Sequence, residues 1–572
     1  MKSRFYDPDY NRVLTMQDGI GTTVYSYNSI TLIPSLGAGM LASVSGPLPN
    51  SLVTYQYDPL SRMVSRAING VAEVAAYDVL DRPVMVTNAL GAFQYSYINA
   101  TARLASEAYP NGQTNLYTYY NNLGDQRLLQ IQHIYPNGSL LSGFGYAYNP
   151  VGQITAWTNQ WDTLPTRVWL PSYDAADQLT NIVSTGGPSA VTNYSYAYDF
   201  AGNRLVAATN GVQTTFSYSA LNQLVSSTLL TNNLTYEWDV ENRLTAINNG
   251  TNRSEFYYDG LGRRTEIIEK VNDNVVSNNY YLWCGTEICE QRDFTGANVI
   301  RRFFGQGEQL STGNYYYTRD HLGSVREALD SNGTAETRYD YDPYGQQAVI
   351  QEYQKTAFAY TGDFIHVPSK LYLTLARPLD TANGRWLGRD PLDEFAGLNL
   401  YSYVGDEPLS RIDLLGYDWV FTGTSWLVDH LFPDSLVNVV AGGQPYLNAV
   451  QGGLEGYDPS DGGLAAIYSW EGLAGNRCSK SYRNGKLIGT GYGLVSGTLE
   501  IRGGIKAYKA AKRLPLFTTG GNGMLNWGSI SRQADQLAND IKNAKGKFGE
   551  HAIEDLSGAV VGEDQKCKCQ SQ

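Results

Sequence analysis

The sequence is poor in cysteine, and this excludes several classes of protein. Among its 572 residues are five cysteines, at scattered positions. They are too few for a disulfide scaffold, and their spacing fits no common metal-ligand pattern. They are Cys284, Cys289, Cys478, Cys567 and Cys569. The last two lie in a polar tail that we expect to fray. We predict neither a metal site nor a cofactor.

The sequence also has few charged residues and no long apolar run. Charged residues make up 17% of the chain and the net charge is −13, which argues against nucleic-acid binding by a broad surface. The first residues contain no apolar core of a signal peptide. No apolar run reaches the roughly 18 residues of a transmembrane helix. We therefore expect a secreted or cell-surface protein, delivered without a classical signal peptide by dedicated machinery or as part of a larger parent.

Tyrosine, glycine and turn-forming residues are abundant. The chain has 44 Tyr against 16 Phe, with 59 Gly, and 42% of its residues are hydrophobic. Such a composition favours β-structure with many turns and argues against disorder. The length predicts two or three structural units.

An aromatic residue followed by a turn recurs about every 20 residues in the first half of the chain. These aromatic residues are Tyr57, Tyr77, Tyr97, Tyr120, Tyr148, Tyr173, Tyr198, Tyr218, Trp238 and Tyr258. A short period that varies by a few residues indicates a hairpin with adjustable loops. We predict a ribbon of β-hairpins over residues 1–350.

One unit, TNYSYAYDFAGNRLVAAT, shows how the hairpin forms. Its three tyrosines alternate with small or polar residues, so they share one face of a strand. Asp199 then opens a turn by bonding its own backbone, and Gly202 closes it. We expect the tyrosines to be core residues of the sheet rather than ligands of a cofactor, although a tyrosine-lined wall could enclose another segment.

As a set, these Y-D-x-x-G units resemble the YD repeats of the Rhs (rearrangement hotspot) family and of its relatives, the toxin-complex C subunits and teneurins. The resemblance implies a mainly β fold, in which the ribbon spirals into a hollow β-cocoon shell, complete or partial. The segment from residue 315 to residue 345 resembles the unit that precedes the family's core domain. We expect its His321 to have a structural role in a turn.

Residues 351–417 resemble the Rhs-repeat-associated core, which plugs such a shell. The matching elements are GRWL at residues 384–387, RDP at 389–391, GLNLYSYV at 397–404 and the final D-L-L-G-Y at 413–417. The chain departs from the family pattern after Arg377, where Pro378 and Leu379 replace two tyrosines. It departs again at Leu414 and Tyr417, where the family has proline and leucine.

The resemblance implies that this plug cuts its own chain. The aspartates of the two D-containing elements correspond to Asp390 and Asp413. Two neighbouring carboxylates can share one proton, so that one acts as base and the other as acid in peptide hydrolysis. The predicted cut follows Tyr417, within the segment Gly416, Tyr417 and Asp418. The supporting residues are Arg377, Asp380, Arg385 and Arg389, with Asp380 expected to pair with Arg377 or Arg385.

A structural interpretation of the same aspartates stays open. Each lies beside turn-forming residues, and an aspartate in a turn commonly accepts hydrogen bonds from backbone amides. The departures at Leu414 and Tyr417 bear mainly on the position of the cut.

Residues 418–572 lack the aromatic period and are predicted to form a small, mostly helical or α+β domain. In the family this position holds a variable effector, often a nuclease or another toxin. The candidates for acid–base chemistry are Glu550, His551, Glu554 and Asp555, and those for phosphate contact are Lys506, Lys509, Lys512 and Arg513. Solvated surface charge is the alternative for both sets.

Three functions are therefore possible. The first is a toxin carrier whose shell encloses its own C-terminal domain and releases it by self-cleavage, with secretion machinery and an immunity protein as further partners. The second is an uncut surface or structural protein that binds glycans or a partner. The third is a degenerate fragment of such a protein.

Overall fold

The chain folds almost entirely into short antiparallel strands. A computed structural model describes residues 3–421, apart from residues 11, 31–34, 163, 188–192, 229–233, 394–396 and 418–419. Within this part there is no α-helix, and 3-10 turns occur at Asn122–Gly124, Tyr360–Gly362 and Val404–Asp406. The predicted mainly β fold is confirmed. The predicted C-terminal domain lies outside the described residues, apart from one short strand.

The described strands are β1 (Ser3–Tyr6), β2 (Val13–Gln17), β3 (Thr22–Tyr27), β4 (Leu41–Ser45), β5 (Leu52–Tyr57), β6 (Met63–Ile68), β7 (Val71–Tyr77), β8 (Pro83–Asn88), β9 (Gly91–Tyr97), β10 (Leu104–Ala108), β11 (Thr114–Tyr119), β12 (Leu128–Ile134), β13 (Leu140–Tyr148), β14 (Ile154–Trp161), β15 (Arg167–Tyr173), β16 (Leu179–Gly186), β17 (Asn193–Tyr198), β18 (Arg204–Thr209), β19 (Val212–Tyr218), β20 (Leu224–Ser227), β21 (Leu234–Trp238), β22 (Leu244–Asn249), β23 (Asn252–Tyr258), β24 (Arg264–Val271), β25 (Asn274–Cys284), β26 (Glu287–Arg292), β27 (Val299–Phe304), β28 (Gly307–Leu310), β29 (Gly313–Arg319), β30 (Val325–Leu329), β31 (Ala335–Tyr341), β32 (Gln347–Glu352), β33 (Phe364–His366), β34 (Leu371–Leu373), β35 (Pro378–Asp380), β36 (Arg385–Trp386), β37 (Arg411–Ile412) and β38 (Val420–Phe421).

These strands form two large sheets and two small ones. The first sheet contains β1–β20 and the second contains β21–β32. In both, each strand pairs antiparallel with the strand that follows it in the chain, so the ribbon is a continuous meander that spirals. Strands β33–β36 form a small sheet within the plug, and β37 of the plug pairs with β38, which follows it, in the other. The division into domains at residues 350 and 417 stays a prediction.

The turn between β17 and β18 explains the repeated aspartate and glycine. Asp199 N–H donates to the Asn203 carbonyl at 2.9 Å, and Gly202 takes a left-handed φ of +75°. The pairing register shifts just before the turn, so this is a type I turn followed by a bulge. The Asp199 carboxylate also accepts the amides of Ala201 and Asn203. In degenerate units the left-handed position is taken by residues such as Asn222 and Asn242.

The tyrosine that precedes many of the turns has a bonding role that phenylalanine cannot fill. The hydroxyl of Tyr77 donates to the Met63 carbonyl at 2.8 Å, where the return strand of the preceding hairpin begins. The same link recurs along both sheets. It joins Tyr97 to Pro83, Tyr119 to Leu104, Tyr173 to Ile154, Tyr198 to Leu179, Tyr218 to Arg204 and Tyr258 to Leu244. These tyrosines therefore join successive hairpins as well as filling the core.

An arginine four residues after the aspartate adds a second link that the sequence analysis missed. Arg82 bonds the Asp78 carboxylate through Nε at 2.7 Å, and its guanidinium lies 4.5 Å over the ring of Tyr97 in the next unit. The pairs Arg62 with Asp58 and Arg243 with Asp239 repeat this arrangement. The spacing Y-D-x-x-x-R was visible in the sequence, but the contact with the next unit was not.

The core is shared between the two large sheets and the plug. One cluster of buried residues includes Phe144 and Trp157 of the first sheet, Tyr341 of the second, and Trp386 and Tyr403 of the plug. The plug is therefore packed against both sheets. A disulfide joins Cys284 and Cys289, which are buried in a smaller cluster beside Val53 of the first sheet.

His321 lies where all three parts meet. It is buried, its Nε2 lies 2.7 Å from the Leu409 carbonyl of the plug, and its ring packs against Tyr146 and Trp157. Burial lowers the pKa of His321 below its usual range. This environment supports a structural role for this histidine.

Removing one tyrosine hydroxyl tests the link between hairpins. We expect Tyr258→Phe to destabilise the local structure by about 1 kcal/mol, because the Leu244 carbonyl loses its donor. Amide hydrogen exchange in β22 should then be roughly fivefold faster. The control is Tyr257→Phe, whose hydroxyl is exposed and bonds Glu255 instead. Equal exchange in the two variants would contradict the proposed role of the hydroxyl.

Candidate functional site

Arg377 brings together the two aspartates that the sequence predicted as a pair. One terminal nitrogen of its guanidinium lies 2.7 Å from Asp390 Oδ2 and the other lies 3.0 Å from Asp413 Oδ2. All three side chains are buried, with at most 7% of each residue exposed. The guanidinium also stacks 4.5 Å over the ring of Trp386. The two acids, 23 residues apart in the chain, therefore meet on one cation inside the plug.

Asp413 also organises the segment that contains the predicted cut. Its Oδ1 accepts the amides of Gly416 and Tyr417, at 2.8 and 3.0 Å. Gly416 takes a left-handed φ of +76°. A Cβ at this position would lie 2.4 Å from Thr374 Oγ1, so only glycine fits here. The chain is thus wrapped around the carboxylate at residues 413–417.

The chain turns back after this loop. Arg411 and Ile412 of β37 pair antiparallel with Phe421 and Val420 of β38. The predicted cut after Tyr417 therefore falls in the connection between these two short strands.

Burial dominates the electrostatics of the acidic pair. It raises the pKa of Asp413 to about 7, although Arg377 and the two amides act in the opposite direction, and the Asp390 charge adds to the increase. A third carboxyl group, Asp363, contributes to the same field. Burial raises its pKa well above the usual range, a hydrogen bond from Thr361 opposes this, and the Asp413 charge raises it further.

The other predicted residues of the plug do not join the acidic pair. The carboxylate of Asp380 bonds Asn383 and forms no ion pair with Arg377 or Arg385, so that expected pairing is wrong. Arg385 instead donates to the Asn222 carbonyl and stacks on Tyr218 and Tyr401. Arg389 forms an exposed ion pair with Asp393, at 3.0 Å. These residues fasten the plug or lie on its surface.

Several predicted site residues lie outside the described part of the chain. They are Asp418 and, in the C-terminal domain, Lys506, Lys509, Lys512, Arg513, Glu550, His551, Glu554 and Asp555. Within the described residues, no group of three or more His, Cys, Asp or Glu is placed to hold a metal ion. None of the helical turns there has the length or apolar character needed to cross a bilayer.

Two residues near the acids were not found from the sequence. Thr374 and Asp363 lie outside the motifs of the plug; Thr374 bonds the Leu415 carbonyl, and Asp363 is close enough to Asp413 for the two charges to interact. Neither residue belongs to a sequence motif that indicates a catalytic or binding role.

Comparisons with known proteins relate this chain to toxin proteins. No family model matches it. It is 27% identical over 271 residues to the tRNA3(Ser)-specific nuclease WapA of Bacillus spizizenii, across 41% of this chain and 11% of WapA. It is 24% identical over 404 residues to the toxin subunit YenC1 of Yersinia entomophaga, across 54% of this chain and 41% of YenC1. It is 26% identical over 196 residues to the probable deoxyribonuclease RhsB of Dickeya dadantii, across 32% of this chain and 13% of RhsB.

A solved structure shares the fold. The crystal structure of TcdB2-TccC3-TEV superimposes with a TM-score of 0.59 at 18% identity, and the match covers 73% of this chain and 25% of that one. The similarity extends to the spiralling sheets. This chain spans about a tenth of the length of the WapA nuclease and a quarter of the solved chain.

Replacing Arg377 tests whether it neutralises the two acids. We expect Arg377→Met to lower the stability of the plug by about 3–5 kcal/mol, because two buried carboxylates lose their cation. Hydrogen exchange at the amides of Gly416 and Tyr417 should then be at least about a hundredfold faster. Adding Asp390→Asn should restore much of the protection. The control is Arg389→Met, which removes an exposed arginine. Equal effects of the two arginine variants would exclude a special role for Arg377.

Proposed function

We propose that this chain, which belongs to the Rhs/YD-repeat proteins, is the shell and self-cleaving plug of a toxin carrier. The observation that carries the proposal is that Asp390 and Asp413 both form ion pairs with Arg377, and that Asp413 also accepts a backbone amide of the loop that contains the predicted cut. The toxin and nuclease relatives support a carrier of this kind. In the proposal, residues 1–350 form the shell, residues 351–417 the plug and residues 418–572 the released effector.

The cut is a hydrolysis in which each acid has one role. Asp390 takes a proton from a water molecule, and the water oxygen bonds to the carbonyl carbon of Tyr417. Asp413, in its protonated form, gives its proton to the nitrogen of residue 418 as the C–N bond breaks. Because the bond belongs to the same chain, it is held near the acids at a high effective concentration, and a modest catalyst suffices for one turnover.

The position of the plug supports enclosure of the C-terminal segment. Asp413 is buried in a plug that shares its core with both large sheets, so the segment after Tyr417 starts from a plug that is packed against the shell. The names of the WapA and RhsB relatives suggest a nuclease as the effector. Secretion machinery and an immunity protein are further partners that the family relationship leads us to expect.

An uncut structural or adhesive protein is the second candidate, and the same geometry favours it in one respect. An arginine that binds both acids, and an aspartate that accepts two amides, would stabilise a plug even without chemistry. In this alternative the shell would bind glycans or another partner.

Replacing either acid distinguishes the two candidates. We expect the wild-type chain to release a C-terminal fragment of 155 residues, and Asp390→Asn or Asp413→Asn to reduce its formation at least a hundredfold, because base or acid is lost. Denaturing gels and N-terminal sequencing of the fragment measure this. The control is Asp393→Asn, an exposed aspartate of the same plug. An uncut wild-type chain, or cleavage that persists without both acids, would favour the structural protein.

The rate of cleavage should depend on pH through Asp413. The proposed reaction needs its protonated form, and the pKa of Asp413 is raised to about 7. Below this pH the acid is available, and as pH rises above 7 the rate should fall about tenfold per pH unit. Pulse-labelled chain made in a cell-free system and chased between pH 6 and 9 would show this decrease. A rate independent of pH over this range would contradict the role of Asp413 as acid.

A further inference from the structure

Thr374 connects the arginine of the acidic pair with the segment that is cut. Its buried hydroxyl lies 2.7 Å from the Arg377 carbonyl, 3.2 Å from the Leu415 carbonyl and 3.2 Å from the Arg377 amide. We propose that Thr374 is a positioning residue for self-cleavage, which fixes residues 415 and 416 relative to Arg377. This inference rests on the proposed function.

The Leu415 carbonyl is held from two sides. The Ala376 amide donates to it at 2.9 Å, and the Thr374 hydroxyl approaches it at 3.2 Å. A hydroxyl has one proton and can also accept, so Thr374 accepts the Arg377 amide while its proton is shared between the two carbonyls. One side chain thus fixes the backbone of Arg377 and the backbone two residues before the predicted cut.

Gly416 also lies against the Thr374 side chain. A Cβ on Gly416 would lie 2.4 Å from the Thr374 hydroxyl and 3.0 Å from the Arg377 amide. The loop therefore packs against Thr374 without room for a further atom. The amide of Gly416 is also held by Asp413, at 2.8 Å. Residue 416 is consequently confined between the acid and the threonine.

This confinement matters because catalysis by a fixed pair of acids depends on position. Asp390 and Asp413 are themselves fixed by Arg377, so the scissile bond must be brought to them. A displacement of about 1 Å can reduce a rate about a hundredfold even when every reacting group is intact. Thr374 does not touch the acids through any of its three hydrogen bonds, so its contribution is to the position of the loop.

The test compares Thr374→Val with Thr374→Ser in the full chain. Valine keeps the shape but loses the hydroxyl, and we expect cleavage to slow about tenfold or more, with some cuts at neighbouring bonds. Serine keeps the hydroxyl and should restore the rate and the single cut. The matched control is Thr356→Val, which removes another buried threonine hydroxyl, one bonded to the Phe358 carbonyl. The readouts are the first-order rate of fragment formation, its pH profile and the N-terminal residue of the fragment.

A second pair of variants tests the contact between Gly416 and Thr374 by changing the glycine. Gly416→Ala should slow cleavage at least tenfold, since its Cβ meets Thr374. Gly397→Ala is the control, because it also replaces a glycine of the plug with positive φ but has no atom within 4 Å of the added Cβ. This pair is informative even if Thr374→Val does not fold.

The outcomes separate this inference from the proposed function. If the wild-type chain is not cut, both fail together. If it is cut through Asp390 and Asp413 while Thr374→Val and Gly416→Ala cut at the wild-type rate and position, only the role of Thr374 is wrong. Slow cleavage by Thr374→Val with an unchanged pH profile, restored by serine, supports a positioning role, because loss of an acid would change that profile.

Discussion

The structure depends on the hydrogen bond from a tyrosine hydroxyl to the backbone of the preceding hairpin. A single hairpin is marginally stable in water, so a ribbon of them needs links between neighbours. Here the hydroxyl of Tyr77 bonds the Met63 carbonyl, and the same link recurs along both large sheets. This requirement explains why tyrosine rather than phenylalanine occupies these positions before the turns. In several units an arginine bonds the aspartate of the turn and stacks on the tyrosine of the next unit, which adds a second contact between neighbouring hairpins.

The two large sheets hold the side chains of the plug in place. Arg326 is fully buried between Asp320 and Asp340, and Asp340 also binds Arg167 of the first sheet, at 3.0 Å. Such an ionic cluster fixes the relative position of the two sheets, because a shift of either would leave a buried charge without its partner. Trp386 and Tyr403 of the plug pack into the same core. The geometry around Arg377 is therefore supported by residues far from it in the chain.

The sequence predicted the features that repeat or that match a motif. The period of about 20 residues predicted the ribbon of hairpins, and Asp199 with Gly202 predicted the turn between β17 and β18. The pairing of Asp390 with Asp413 came from the family resemblance. The contacts of Arg377 could not be predicted from local pattern, since its partners lie 13 and 36 residues away, and the sequence analysis expected Asp380 as a partner instead. The role of Thr374 could not be predicted for the same reason. A single threonine in the sequence indicates no function, and its contact with the Leu415 carbonyl results from the packing of the folded chain.

The arginine bridge and the proposed chemistry are compatible when the charges are counted. Two ionised carboxylates with one guanidinium leave a net negative charge in a buried site, which is costly. Taking up one proton removes that charge, and burial, which raises the pKa of Asp413 to about 7, favours protonation of this aspartate. One acid protonated and the other ionised is therefore the charge state that this burial and the single guanidinium favour. That is the state that the proposed hydrolysis by two aspartates requires, so in this proposal the cation that stabilises the plug also favours the form that reacts.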